Sequence, residues 1–566
     1  MTDKLFDAIV IGSGITGGWA AKELTERGLK VLMLERGEAV RKYNPKTGME
    51  YKTEHEPVYD FKFRLLGDKR RYARDYPIQS QTWFFNEATE QYWVNDRENP
   101  YSTPAGKPFY WIRGHHIGGR SLMWGRQSYR FAPRHFEENA RDGHGVDWPI
   151  RYADLEPWYG HVERFIGVGG SPLNNAMSPD GEFRKPYPLN AVERDFQSRL
   201  AKLYPDRPLA MARMANLLEP MGDRGGCHWC GPCERGCTVG AYFSTQSSTL
   251  PAAKATGNLT VQTNAIARAI LVDNATGRAD GVRVIDANSR AETVFKARMI
   301  FLCASSFESV RLLFNSSTER FPNGMANSSG VLGHYIMDHA MSDVVAVEVD
   351  GPQVAHYTGY RPGPLFIPRF RNVVEQRKDY VRGYQYNSGA SLQDWGRGAS
   401  MAGVGVEFKN ALRRTGKWQI IMVAQCECLP RKENRISIDP NLKDAWGVPA
   451  LHIDMSWSDN EAAMREEAAD TAIAMLTATG FHNIARIPTT PVPGLAIHEM
   501  GGAPMGRDAR TSVLNAYNQT HDVPNLFVTD GAAMCSSSCT NPSLTYMALT
   551  ARDAAFAADR LKKGLL

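Results

Sequence analysis

The chain has 566 residues, 43% of them hydrophobic and 22% charged, the make-up of a globular protein large enough for two interwoven domains. A formal net charge of +5, without a dense Lys/Arg run, gives no electrostatic footprint for nucleic acid. No stretch approaches the roughly 20 apolar residues that cross a bilayer, so no transmembrane segment is expected.

The N-terminus, MTDKLFDAIVIGSG, enters a strand almost at once, leaving no room for a signal peptide. Ala8-Ile9-Val10-Ile11 is a short apolar run, as in a strand buried on both faces. Gly12-Ser13-Gly14-Ile15-Thr16-Gly17 follows as G-x-G-x-x-G, then a helical stretch to Arg27, then a second buried strand, Val31 to Leu34, ending at Glu35. Gly12 permits the tight turn, Gly14 lets backbone approach a pyrophosphate, and Gly17 lets helix and strand pack closely. The helix N-terminus presents free N–H groups to phosphate. Glu35, 23 residues after Gly12, can accept hydrogen bonds from an adenosine ribose and disfavours a 2′-phosphate. Strand, helix, strand and acid in register make this a dinucleotide site rather than a chance turn. NADP is disfavoured, while NAD and FAD both stay open on these residues alone.

Further along, Arg113 to Gly125 (RGHHIGGRSLMWG) is a second glycine-rich loop. Cys227, Cys230, Cys233 and Cys237 follow as C-x2-C-x2-C-x3-C, the ligand spacing of ferredoxin clusters. Zinc ribbons separate their two C-x2-C pairs, which this run does not. No thioredoxin-like pattern surrounds the Cys230-Gly231-Pro232-Cys233 dithiol. Unliganded thiols are the third rival. The spacing favours an iron–sulfur cluster, although Thr238 stands where the ferredoxin run has proline. The remaining cysteines, Cys303, Cys426, Cys428, Cys535 and Cys539, are scattered and read as ordinary buried thiols. Leu259 to Asp273 and Gly281 to Ile285 alternate like strands of a small antiparallel sheet, with a turn at 274–277.

Histidine suits the role of a general base, being mostly neutral at physiological pH yet able to accept a proton. His498 stands out among the 14 histidines because it opens a segment with Gly501, Gly502 and Gly506, where backbone can come close to a ligand. Asn541-Pro542 precedes an apolar-periodic stretch (Leu544, Met547, Ala548, Ala551, Ala555) and reads as a helix start, with Asn at N-cap and Pro at N1. Such a helix would aim its positive end at a bound cofactor.

Together these segments resemble the glucose–methanol–choline (GMC) oxidoreductases. The 113–125 loop resembles that family's flavin loop, and Leu302 to Leu313 its second signature. His498 to Gly506 is similar to its catalytic-histidine segment, and Asn525 to Gly531 with Asn541 to Thr545 to its closing flavin segment. Trp148-Pro149-Ile150, Tyr152, Leu155 and Tyr159 are similar to the sugar-oxidising members, including pyranose oxidase. The resemblance implies an α/β fold, a Rossmann-type FAD-binding domain interwoven with an α+β substrate domain on an antiparallel sheet. It implies FAD lined by Gly12, Gly14, Ile15, Thr16, Gly17, Glu35, Arg36, Arg120, Ser121, Trp124, Gly125, Ala267, Asp530 and Gly531. The flavin loop lacks the histidine that tethers FAD in pyranose oxidase, so the cofactor should be non-covalent. His498 takes the base position and Asn541 the place of its partner on the substrate oxygen.

The chain looks most like the bacterial sugar dehydrogenase branch, that of the glucoside 3-dehydrogenases and the gluconate and fructose dehydrogenase flavin subunits. Some of its members carry a three-iron cluster on three cysteines; Cys227, Cys233 and Cys237 match that spacing and Cys230 is extra, so a 3Fe-4S or 4Fe-4S cluster is expected. The branch implies a sugar or glycoside substrate, a small partner subunit and a cytochrome c acceptor. The chain is expected to fold in the bacterial cytoplasm, with export to the periplasm only alongside a signal-bearing subunit. A sugar oxidase using oxygen, a gluconate or glucose C1-type dehydrogenase, and a non-catalytic flavin electron-transfer subunit are the competing readings. The expected FAD domain comprises 1–50, 110–140, 222–345 and 495–566, and the lid and substrate domain 51–109, 141–221 and 345–495. Trp83, Trp93 and Trp111 are candidates for stacking on sugar rings or for ordinary packing.

Overall fold

The computed structural model describes residues 5–39, 69–86, 89–231, 233–352, 361–374 and 376–566. Much of the expected lid, 51–68 and 87–88, therefore lies outside the described residues.

Two seven-stranded sheets organise the chain. In the first, Leu5–Ile11 pairs in parallel with Val31–Leu34 on one side and Glu292–Leu302 on the other. Leu259–Gln262 and Leu526–Val528 extend the parallel part. Ala8 to Ile11 and Val31 to Leu34 are buried, as continuous apolar runs in a sheet covered on both faces require. The helix Ile15–Glu26 crosses between the first two strands. Here the structure corrects one part of the expected small antiparallel sheet. Leu259–Gln262 joins the parallel strands, while Ala265–Asp273, Arg278–Asp286 and Glu292–Leu302 form a meander continuous with them. The strand Glu292–Leu302 is long enough, at 11 residues, to belong to both. Its alternation reads locally as antiparallel, and its second half is buried in the parallel sheet.

The second sheet runs in the order Ala485–Ile487, Val344–Val349, Trp418–Cys426, Tyr384–Leu392, Leu365–Ile367 and Ala210–Met211, with Ala340–Met341 beside Trp418–Cys426. Its neighbours are antiparallel throughout. The helix Asp459–Ala478, started by a Ser458/Glu461 capping box, packs on it through Met464, Ala468, Ala472 and Met475. Burying four such apolar side chains supplies a few kcal/mol in total.

Trp148 is fully buried and its Nε1 donates to Ser536 Oγ at 2.8 Å, while Tyr159 and Thr545 hydroxyls lie 2.8 Å apart. These contacts fix the segment that leads into Asn541. No helix among the described residues is long and apolar enough to cross a membrane.

Candidate active site

A cavity of about 650 Å³ lies between the two sheets. Gly12, Gly14, Ile15, Thr16, Glu35, Arg36, Arg120, Ser121, Trp124, Gly125, Ala267, Asp530 and Gly531 all line it, as do His498 and Asn541. Gly17 does not, because its role is packing: a Cβ there would collide with the Gly12 carbonyl. At Gly14, by contrast, a Cβ would meet no atom within 4 Å. That open cradle above a helix N-terminus is the space a pyrophosphate needs.

Glu35 organises the near end. Its Oε2 accepts from Ser13 Oγ (2.5 Å) and N (3.1 Å), and its Oε1 from Gly37 N (2.9 Å). Burial pushes its carboxyl above the ordinary value, and those hydrogen bonds pull it back. Ser13 Oγ also accepts from Gly118 N at 2.9 Å. The two glycine loops are thereby joined through one hydroxyl. Gly118 has φ +85°, a conformation glycine adopts without strain. Ser121 Oγ donates to Gly118 O (2.6 Å), and Thr245 Oγ1 to Gly14 O (3.1 Å). Asp530 accepts from Ser309 Oγ (2.5 Å) and Ala532 N (3.0 Å), and burial pushes its carboxyl up to about 6. Arg36 is anchored to Asp444 (2.9 Å).

At the far end stand the two candidate catalytic side chains. His498 Nε2 lies 3.2 Å from Asn541 Nδ2. His498 Nδ1 lies 2.9 Å from Nδ1 of His339, whose Nε2 lies 2.8 Å from the Ser538 carbonyl. A carbonyl only accepts, so His339 carries its proton on Nε2 and offers Nδ1 as an acceptor. His498 then donates from Nδ1, and its Nε2 is left bare beside Asn541. Burial, reinforced by His339 and Arg120, holds His498 well below the usual histidine value. Burial likewise lowers His339, to about 4. Both rings are neutral near pH 7.

The backbone around the base is clamped. Asp338 accepts from Gly494 N (2.8 Å), Ala496 N (3.3 Å) and His498 N (3.1 Å). Ile497, a β-branched residue, sits at φ +61°, strain that the surrounding structure must hold in place. Arg120 pairs with Glu499 at 2.9 Å. Asn541 departs from the sequence expectation: it is not the N-cap. Pro542 adopts helical angles and the helix is Ser543–Lys562, so the turn starts one residue later and the Asn541 side chain faces His498 instead. Its Oδ1 is buried without a partner, as is Tyr546 Oη. Such orphans mark places where a ligand completes the hydrogen bonding. Pro542, Ser543 and Tyr546 line the cavity, so the helix still presents its N-terminus to it.

Several lining residues carried no local sequence signal: Met341, Asn387 and Gln425. Trp83 lines the cavity while 88% exposed, and Trp93 lines it while buried. Trp111 is packed against Arg113 and Phe307.

Of the four clustered cysteines, Cys230 is exposed and the other three are half-buried. Burial pushes Cys233 up to about 11, and Cys227, Cys230 and Cys237 are near enough to act on it electrostatically. Glu234, within the run, lines the cavity. Among the described residues, the sets of three ligating atoms within 4.8 Å of one another are His135–Glu427–Cys539 and Asp338–His339–His498. The other five cysteines are buried.

Models described as GMC oxidoreductase match residues 211–341 and 430–550. The fructose dehydrogenase large subunit of Gluconobacter japonicus is 27% identical over 99% of this chain and 98% of its own. The gluconate 2-dehydrogenase flavoprotein of Pantoea cypripedii is 26% identical over 97% and 92%. Among solved structures, a pyridoxine 4-oxidase from Mesorbium loti superposes with a TM-score of 0.60 at 15% identity, covering 99% of both chains.

Proposed function

Given that this chain belongs to the GMC oxidoreductases and is an FAD-dependent oxidoreductase acting on CH–OH donors, we propose that it is a sugar dehydrogenase using His498 as base. The reaction assigned is oxidation at carbon 3 of a glucoside, giving a 3-keto sugar. The observation that carries the reading is the unprotonated Nε2 of His498, accepting from Asn541 Nδ2 beside that residue's unsatisfied Oδ1 in the cavity wall.

The near half of the cavity fits FAD, held non-covalently by the Gly12–Gly17 turn, Glu35, Arg36, the Arg120–Gly125 loop, Ala267, Asp530 and Gly531. When bound, FAD supplies the hydride acceptor. His498 Nε2 takes the proton of the reacting hydroxyl, and burial keeps that nitrogen free to do so at neutral pH. Asn541 Nδ2 donates to the same hydroxyl oxygen, holding its carbon in place. The N-terminus of Ser543–Lys562 stabilises negative charge developing in the cavity.

Sugar chemistry is supported by the two relatives named for fructose and gluconate. Dehydrogenase chemistry is supported by the thiol run: a 3Fe-4S or 4Fe-4S cluster on Cys227, Cys230, Cys233 and Cys237 would give electrons a one-electron exit beside the cavity, through Glu234's loop. The relative named as a large subunit supports a small partner subunit, and in this reading a cytochrome c or a quinone takes the electrons. Purified protein should release FAD with acid and contain iron plus sulfide. Anaerobic bleaching of the flavin by methyl glucoside, whose anomeric carbon is blocked, tests the chemistry. Bleaching by free glucose alone, with gluconolactone as product, would overturn the carbon-3 assignment.

A further inference from the structure

A second cavity, of about 860 Å³, opens on the antiparallel sheet. Side chains alternate along a strand, so Gln385, Asn387, Gly389 and Ser391 share one face of Tyr384–Leu392. On the adjoining strand the paired residues are Gln425, Val423, Ile421 and Gln419. Gln425 and Asn387 line the catalytic cavity, whereas Asn387, Gly389, Ser391, Ile421 and Val423 line the second one. One sheet face therefore runs from the catalytic pair into a second chamber, and Asn387 belongs to both.

The chemistry along this face is that of a site for hydroxyl groups. Asn387 Oδ1, in the wall of both cavities, and both amide atoms of Gln385, buried two residues earlier on the same face, lack hydrogen-bond partners, as does Ser388 Oγ, which reaches the second cavity from the strand's other face. Native structures rarely leave that many polar atoms unsatisfied on one strand, since each costs about 1–3 kcal/mol. The far rim carries Trp395, 81% exposed, an aromatic face of the type that packs against the C–H side of a sugar ring. The rim is held in shape from within. Arg397 donates to the carbonyls of Asp394, Ala411, Leu412 and Arg414. Arg361 makes a two-pronged pair with Glu193 (2.5 and 2.6 Å).

We infer that this second chamber is the aglycone subsite of a glycoside: the ring to be oxidised sits at His498, and the group on its anomeric oxygen crosses Asn387 into the chamber. The ligand class is a polar, hydroxylated aglycone, such as a second sugar unit. This rests on the carbon-3 reading, because carbon-3 chemistry leaves the anomeric substituent intact and turned away from the reacting atoms, where it needs room.

Methyl α-glucoside and trehalose share the reacting unit and differ in the aglycone, so the test is their kinetics with wild type and two variants. At Gly389 a Cβ would meet nothing closer than Glu193 Oε1, at 3.8 Å, so Gly389→Phe fills the passage without displacing neighbouring backbone. Ser391→Trp narrows it from the exposed rim and carries the test if Gly389→Phe proves unfolded by its FAD content. Wild type should show a KM for trehalose about tenfold or more below that for methyl glucoside, the worth of one well-filled subsite. The variants should erase that advantage and leave methyl glucoside turnover unchanged. Equal KM values in wild type, or variants that affect both substrates alike, would overturn the subsite. If neither glycoside bleaches the flavin while gluconate or free glucose does, the carbon-3 reading fails and the subsite with it.

Discussion

His339 Nδ1 lies 2.9 Å from His498 Nδ1, and because His339 Nε2 is committed to the Ser538 carbonyl, the contact admits one arrangement of protons. His339 thus acts as a positioning residue that leaves His498 Nε2 bare. His339→Leu removes the acceptor and frees His498 to take the opposite tautomer. Anaerobic flavin reduction should slow by about 10²-fold, the usual contribution of a positioned base, with FAD content unchanged. His339→Asn keeps an acceptor near the Nδ1 position and should recover most of the rate. Equal rates in the two variants would show that the ring matters only as packing.

Burial, then His339 and Arg120, hold His498 below the usual histidine value. Protonated His498 cannot act as base, so flavin reduction should fall only as pH drops below about 6.5 and be flat above pH 7. Arg120→Met removes a cation and leaves the Glu499 carboxylate uncompensated, so the acid limb should move to higher pH. A wild-type limb above pH 7, or one that the variant leaves in place, would contradict this.

The carboxyl of Asp338, pushed up by burial and next by Glu499, reaches about 7. A folded-state value above the unfolded one gives stability that is fully present below about 4 and lost as pH rises through 7. Asp338→Asn is neutral throughout. Its stability should therefore gain on wild type as pH rises from about 4 to 7 and hold that gain above, at roughly 1.4 kcal/mol per pKa unit, read as a rising difference in melting temperature. A gap independent of pH would mean that the carboxyl does not titrate there.

Gly14 and Gly17 separate cofactor binding from folding. Gly14→Ala adds a methyl group to open cradle space and should leave the FAD-free protein stable while weakening FAD retention. Gly17→Ala drives a methyl into the Gly12 carbonyl and should lower the melting temperature of the FAD-free protein itself. Differential scanning fluorimetry with and without added FAD distinguishes them, and matching behaviour would remove the distinction.

What the sequence reveals about this site is what local chemistry encodes. The Gly12–Gly17 turn, Glu35, the Gly118–Gly119 loop, and the segments at His498 and Asn541 each announce themselves by glycine, proline or an acid at a fixed offset, and Gly12, Gly14, Glu35, Gly119, His498 and Asn541 line one cavity. His339, Asp338, Asn387 and Gln425 do not. They come from strands and loops whose own patterns are ordinary, and only sheet pairing and chain return bring them to His498. The Asn541 cap misread has the same origin: Asn-Pro signals a helix start, but a tertiary contact with His498 decides where the Asn side chain goes. Strands in 259–273 and 281–285 were legible as strands, yet Leu259–Gln262 belongs to the parallel sheet through Val31–Leu34, more than 200 residues earlier.

The most direct test of the account is the rate of anaerobic flavin reduction by methyl glucoside in His498→Ala protein that retains its FAD. The account predicts a loss of about 10²-fold or more relative to wild type, with substrate binding little changed. Near-normal reduction in that variant would contradict it, placing the base elsewhere in the cavity.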